Sequence, residues 1–358
     1  MRVVEVITGL GLGGAEQGLV NRLHFQPDDV ETTVINTRPE LDRFSADVRE
    51  HADALIETAP TAFGRTSLAG LIRDQRPDVV ISHLPMESTR LLWTRVPREV
   101  PTVIMAESEV MSTRPLRNAM LKALARPVQH RAALHIAISQ LAAQGCQCRG
   151  AHRIVISPLG AHLPPTEELA SPWPAGARLR LLSLNRLIEA KNLVTLVLAV
   201  GDEATAMRAA GAHLLIVGDG PEQAAIEAAI GSAGLDDLVT LHPAISPPSA
   251  VLREADCLIV SSLFEGGPLT IYEALLVGTR VTSTPVGVAP QTLAGDDGHL
   301  VLMHGTGRAD LRTGLLRTLA QQPVTPDERA ARALAGHVWG SEHRSAEFYD
   351  AIRALVQP

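Results

Sequence analysis

Two carboxylates and two cations in the second half of the chain are spaced so that they could act on a phosphorylated, hydroxyl-rich ligand. Glu265 and Glu273 stand eight residues apart in Ser261-Ser262-Leu263-Phe264-Glu265-Gly266-Gly267-Pro268-Leu269-Thr270-Ile271-Tyr272-Glu273-Ala274-Leu275. Gly266, Gly267 and Pro268 precede an apolar pattern of helical period, so the free N–H groups of a tight turn and of a helix start would converge on one anion. With the helix beginning near Pro268, Glu265 lies in the turn and Glu273 about a turn and a half inside the helix. The two would touch an extended ligand at two points, or else Glu265 caps the helix and Glu273 is solvated. Earlier, Arg186 and Lys191 stand five apart in Asn185-Arg186-Leu187-Ile188-Glu189-Ala190-Lys191-Asn192. They form either a clamp for a pyrophosphate or a solvated pair. Of 32 basic residues 30 are Arg, leaving Lys122 and Lys191 as the lysines, so a retained Lys suggests a need for its small ammonium group.

These side chains must be held by strand ends. Apolar runs at Arg180–Leu184, Leu214–Val217, Val239–Leu241, Cys257–Val260 and Arg280–Ser283 read as buried strands, and each stops at a polar or Gly-rich turn. In the first half, Val3–Thr8 runs into Gly9-Leu10-Gly11-Leu12-Gly13-Gly14-Ala15-Glu16 and a helix to about Leu23. Gly9, Gly11 and Gly14 fit the dinucleotide fingerprint, and Arg38, after the strand Thr32–Ile35, could meet the phosphate of NADP, so an oxidoreductase is one reading. A tight strand-to-helix turn without a ligand is another. Ala54–Glu57, a helix over Ser67–Gln75, Asp78–Ser82 ending in His83, Thr102–Ala106 ending in Glu107-Ser108-Glu109, Leu134–Ser139 and Arg153–Ser157 continue the alternation. His83 falls at a strand's carboxyl end, where open α/β sheets bind ligands, although a lone histidine can also be structural. Glu107 and Glu109 resemble a metal pair only superficially. Prolines from Pro158 to Pro174 mark a linker, and Phe348–Val356 reads as a last helix.

With 358 residues the chain suits two cores, and 46% hydrophobic against 20% charged residues fits a soluble globular protein. A formal charge of −7 with no aromatic-studded basic stripe argues against nucleic-acid binding. Residues 1–165 hold 18 basic and 17 acidic side chains and residues 166–358 hold 14 and 22, so the acidity belongs to the second half. No apolar run approaches the roughly 18 residues of a membrane span, and Met1-Arg2-Val3-Val4-Glu5 opens as a strand, so a cytoplasmic protein is expected. Arg114, Arg117, Lys122, Arg126 and Arg131, with no acid between Met111 and His135, form either a helix for weak peripheral contact with anionic lipid or an ordinary layer helix. Cys146, Cys148 and Cys257 lack a zinc-ligand pattern and are read as structural.

The stretch around Glu265 resembles the E-x7-E signature of the retaining nucleotide-sugar glycosyltransferases of the GT4 family. The resemblance implies the GT-B architecture, α/β with two Rossmann-like doubly wound domains facing a cleft. The implied divisions are residues 1–163 on the acceptor side, a Pro-rich linker over 164–177, residues 178–340 on the donor side, and a C-terminal helix in 341–358 that crosses back to the first domain. Carried over, Glu265 contacts the donor hexose, Glu273 the nucleotide ribose, and the backbone of Gly266, Gly267, Pro268, Leu269 and Thr270 the distal phosphate. Arg186 and Lys191 match the family's R-x4-K and neutralise the leaving diphosphate. Gly218 sits in the turn beside the nucleotide and Ala244 where the backbone reads the base. Gly13, Gly14 and Glu16 match the G-G-A-E opening, which approaches donor phosphate and acceptor. His83 would face the acceptor. Relatives place a Glu-His pair at Glu107-Ser108, and Ser108 departs from it, so Glu107, Ser108 or another histidine takes that position. The implied reaction moves a hexosyl or N-acetylhexosaminyl unit from a nucleotide sugar, with uridine the commonest base, to a hydroxyl of an aminocyclitol, another small metabolite or a glycan. It needs no metal and no cofactor beyond the donor itself. A GT-B epimerase, the NADP oxidoreductase and a silent sugar-nucleotide binding module remain alternatives, and oligomeric state is left open.

Overall fold

The computed structural model describes residues 1–11, 13–58, 65–83, 99–107, 130–148, 151, 153–163, 171–245, 247–293 and 300–356. Ser108, most of the basic stretch after Met111, and residues 164–170 of the expected linker lie outside them. The chain forms two units, Met1–Gly160 with Ser341–Pro358, and Ala161–Gly340.

The first unit is built on a parallel sheet of β1 (Arg2–Ile7), β2 (Glu31–Asn36), β3 (Ala54–Glu57), β4 (Val79–Ser82), β5 (Thr102–Ala106), β6 (Leu134–Ala137) and β7 (Ile154–Ile156), in the order β3-β2-β1-β4-β5-β6-β7. Side chains alternate across the pleat. Val4 and Val6 pack with Ile35, Val80 and the Leu68 and Ile72 of α3 (Arg65–Asp74). Ile7 faces the other layer, with Leu19, Val20 and Leu23 of α1 (Gly14–Leu23) and Val48 of α2 (Ser45–His51). Glu5 shares that second face with Ile7. A further helix, α4 (Gln140–Cys148), packs on β6 and β7.

The second unit has a parallel sheet of β8 (Leu179–Leu184), β9 (Ala212–Val217), β10 (Val239–His242), β11 (Cys257–Val260), β12 (Arg280–Ser283) and β13 (Leu300–Leu302), ordered β10-β9-β8-β11-β12-β13. Its helices are α5 (Leu193–Asp202), α6 (Ala204–Ala210), α7 (Gln223–Ala233), α8 (Pro248–Glu254), α9 (Leu269–Leu276), α10 (Ala289–Thr292), α11 (Arg308–Leu319) and α12 (Pro326–Gly336). Leu196, Val197 and Val200 of α5 meet Ile226 and Ile230 of α7 and Leu311 and Leu315 of α11 in one apolar cluster. Trp173, flanked by prolines in the expected linker, is buried and lies beneath the Arg180 guanidinium. The end of that stretch is therefore part of the second unit rather than a free connector.

The last helix, α13, spans Ser341–Val356, beginning earlier than its apolar pattern indicates. Its first residues are polar, but Ser341 is buried, and a Cβ on Gly160 would run into its backbone, so tertiary packing rather than periodicity sets the start. Phe348, Tyr349 and Ile352 bury this helix in the first unit.

In both sheets the strand order reverses once, between β1 and β4 and between β8 and β11. Open α/β sheets take ligands at the carboxyl ends of strands beside such a reversal.

Candidate functional site

In the second unit the reversal point carries Lys191 and Glu265. Lys191 closes a 3-10 turn, Glu189–Lys191, after β8, and Glu265 lies in the loop after β11, the neighbouring strand. Their side chains are 16% and 14% exposed and form an ion pair in which Nζ donates to Oε1. The two loops are tied together beneath it. Ser262 Oγ donates to Glu265 Oε1 at 2.8 Å, Ser261 Oγ to the Lys191 carbonyl at 2.7 Å, and Leu263 N to the Ala190 carbonyl at 2.8 Å. Asn192, left-handed at φ 57°, donates through Nδ2 to the carbonyls of Ser261 and Thr306 at 3.2 and 3.0 Å. Asn tolerates this conformation better than most side chains, so the residue after Lys191 suits both the turn and the tie.

α9 starts at Leu269 with Pro268 as N-cap, and no side chain caps it. The reading of Glu265 as the cap is therefore set aside, because its carboxylate is turned to Lys191. The helix end leaves backbone N–H groups without side-chain partners, a favourable place for an anion. Gly287, at φ 52°, allows the loop after β12 to approach the Gly266 carbonyl and Pro268 within about van der Waals contact. Glu273, in the second turn of α9, is 8% exposed, which rules out the solvated alternative; burial pushes its carboxyl up to about 7.

Arg186 is exposed on the same post-β8 segment, and among the described residues its guanidinium makes no ion pair. Gly218 follows β9, the strand on the other side of β8, and Ala244 is exposed after β10. The expected donor-binding turns of this unit thus lie along one sheet edge. Gly218 has a packing reason of its own, since a Cβ there would collide with the Asn185 carbonyl, and Gly220 is likewise pressed against Leu187.

The first unit places different chemistry at its reversal. Gly13 is the N-cap of α1 with no side-chain cap, Gly14 is exposed with open space around its Cα, and the Glu16 carboxylate folds back over Gly13. His83, expected to face an acceptor, is instead fully buried. Its Nε2 lies 2.5 Å from Glu5 Oε2 and its Nδ1 2.8 Å from Glu107 Oε1, so both ring nitrogens are engaged. Arg22 Nη2 donates to the same Glu5 oxygen at 2.5 Å, and its guanidinium lies 4.1 Å from the centre of the Phe348 ring. The register pairs Glu5 with Ile81 and Ile81 with Val103, so Glu5, His83 and Glu107 share one face of three adjacent strands. Burial opposes charge on the imidazole, but Glu107 and Glu5 outweigh it and push His83 up to about 9. Burial likewise opposes charge on Glu5 and Arg22. Arg22 and His83 nevertheless hold Glu5 below its ordinary value, and Glu5 raises Arg22. Pattern reading passed over Glu5 and Arg22. The available signal was a charge in the middle of a buried strand, which needs a partner.

The oxidoreductase reading loses its geometric reasons. The third glycine of the fingerprint allows close packing of helix on strand, yet nothing lies within 4 Å of a Cβ on Gly14, and Arg38 pairs with Glu40 at 3.3 Å. Among the described residues no cluster of His, Cys, Asp and Glu could hold a metal ion, and no helix is long and apolar enough to cross a membrane. Cys146 and Cys257 are buried, and burial pushes the Cys257 thiol up to about 11.

Residues 178–321 match the family model of glycosyl transferases group 1. A D-inositol 3-phosphate glycosyltransferase of Arthrobacter sp. (strain FB24) is 30% identical over 134 residues, covering 37% of this chain and 31% of the relative. A 2-deoxystreptamine glucosyltransferase of Streptomyces kanamyceticus is 32% identical over 132 residues, covering 36% and 34%. These matches span about a third of the length of the curated relatives. By structure, Anabaena HepE in complex with UDP and glucose superposes with a TM-score of 0.75 at 16% identity, over 99% of this chain and 100% of that one. Sucrose-phosphate synthase from Thermosynechococcus elongatus gives 0.76 at 17% identity, over 99% and 98%. The fold is thus that of the GT-B proteins, two Rossmann-like α/β domains, and residues 178–321 are similar in sequence to group 1 glycosyl transferases.

Proposed function

We propose that the protein is a retaining glycosyltransferase, moving a hexosyl or N-acetylhexosaminyl unit from a uridine diphosphate sugar to a hydroxyl of a small polyol or aminocyclitol. The observation that carries this reading is the meeting of Lys191, Glu265 and the uncapped start of α9 at the reversal point of the second sheet. Cleavage of the sugar–diphosphate bond builds negative charge on the leaving group. Arg186, Lys191 and the backbone N–H groups of Gly266, Gly267, Leu269 and Thr270 are the groups suited to stabilise it, and in this scheme they do so without a metal. Glu265 orients the sugar, and Glu273, its carboxyl near 7, holds a ribose hydroxyl as donor or acceptor. The curated relatives are named for a cyclitol phosphate and an aminocyclitol, which supports that acceptor class, and the UDP and glucose in the HepE crystal support the base. The first unit is assigned the acceptor, with Gly13, Gly14 and Glu16 at its helix end.

The test is a melting-temperature panel of nucleotide sugars. The stabilising donor is then incubated with myo-inositol or 2-deoxystreptamine, and the anomeric configuration of the product is read by NMR. A product that keeps the donor's configuration is expected. An inverted product removes the retaining mechanism, and an altered donor sugar with no new glycosidic bond favours the epimerase. Glu265→Gln should lower turnover much more than it weakens UDP binding, and equal losses would remove its role at the sugar.

A further inference from the structure

The buried charges of the first unit form a chain, Arg22 to Glu5 to His83 to Glu107, whose geometry sets its protonation. A carboxylate accepts hydrogen bonds and cannot donate them, so a ring facing Glu5 Oε2 through Nε2 and Glu107 Oε1 through Nδ1 satisfies both with a proton on each nitrogen. Arg22, on the same Glu5 oxygen, keeps that carboxylate charged. The four charges alternate in sign and sum to zero, and so they are tolerated in side chains no more than 5% exposed. Two carboxylate oxygens are left over, Glu5 Oε1 and Glu107 Oε2, both buried without a hydrogen-bond partner. Glu5 lies in the interior of β1, on the face covered by α1. Glu107 follows the last residue of β5, at the sheet edge that receives ligands. A buried carboxylate oxygen with no donor is costly, and a ligand hydrogen would remove that cost.

We propose that Glu5, Arg22 and His83 are positioning residues for Glu107, whose free Oε2 recognises a hydroxyl or ammonium hydrogen of the substrate held by the first unit. The inference rests on the reading of that unit as the acceptor side. Among the described residues, the charged and titratable groups around His83 are Glu5 from β1, Arg22 from α1 and Glu107 after β5, with Tyr349 of α13 against Arg22 and Glu5.

The test uses the full chain labelled with ¹⁵N-histidine, with the His83 imidazole assigned by its loss in His83→Asn. Wild type and Glu107→Gln are titrated with acid and base and then with myo-inositol and 2-deoxystreptamine in the presence of UDP. In the wild type the ring should carry both protons at neutral pH and lose one about two pH units above an ordinary histidine. In Glu107→Gln that midpoint should fall by about one unit or more, with UDP affinity unchanged within about twofold. A probe should move the His83 signal in the wild type and not in the variant. A response to the aminocyclitol alone assigns an ammonium, and a response to both assigns a hydroxyl. A ring with a single proton at neutral pH, or a signal that neither probe moves, overturns the proposal, and these wild-type arms do not need Glu107→Gln to fold. Failure of the wild type to bind UDP would instead sink the functional reading while leaving the state of His83 on record.

Discussion

The two units use one design and load it differently. Each is a doubly wound parallel sheet with a single reversal of strand order, and each brings a cation and a carboxylate together beside it. In the second unit the pair is Lys191 and Glu265, one-seventh to one-sixth exposed, on loops beside an uncapped helix. In the first unit the charges are fully interior, and their hydrogen bonds use both nitrogens of His83. A pair that still reaches solvent at a loop edge can exchange one partner for a ligand phosphate, whereas a closed interior array cannot, because each member left unpaired is a buried charge. In the function proposed above, the second unit turns over an anionic ligand and the first presents a fixed carboxylate.

The contrast breaks most visibly at Glu5. Glu5→Ala would leave Arg22 and His83 buried without their shared counter-charge, and should cost about 3–5 kcal/mol in denaturant unfolding, confined to the first unit's transition. A loss below about 1 kcal/mol would mean that the array is not closed.

Glu273 supplies a second break through pH. Its carboxyl is raised from 4.5 to about 7 in the fold, so the folded state keeps a proton that the unfolded chain releases. The second unit should therefore lose stability as pH rises from about 4.5 through about 7. Glu273→Gln should flatten that slope and gain on the order of 3 kcal/mol above it. Identical profiles for the two proteins would contradict the burial argument.

Glycines sharpen the comparison with smaller effects. Gly218→Ala drives a Cβ into the Asn185 carbonyl and should cost about 1–3 kcal/mol in thermal unfolding of the second unit. Gly14→Ala, with open space around it at the start of α1, should be neutral or gain up to about 1 kcal/mol. Equal costs would show that the two turns are constrained alike.

Much of the second unit was legible in the sequence because its chemistry lies at strand ends. Arg186, Lys191, Gly218, Ala244 and Glu265 all follow apolar runs that stop abruptly, and a strand end places its successor at the sheet edge whatever the tertiary detail. What Gly218 is for was not legible, since the Asn185 carbonyl that excludes a side chain there belongs to a neighbouring strand's loop. In the first unit Glu5 and Arg22 lie inside periodic apolar segments, where pattern reading treats a lone charge as noise. Only the register across β1, β4 and β5 shows that Glu5, His83 and Glu107 share a face. His83 was visible as a strand-end residue, but its burial depends on two carboxylates distant in sequence. The early start of α13 was hidden for a similar reason, because its polar first turn is held by Gly160. The expectation at Ser108 falls outside the described residues.

The most direct measurement is calorimetric titration of UDP into the wild type, Lys191→Met and Glu107→Gln. The account predicts that UDP binds the wild type, that Lys191→Met weakens binding by about tenfold or more through loss of a charge-assisted contact, and that Glu107→Gln leaves it unchanged. Binding to Lys191→Met as tight as to the wild type would contradict it.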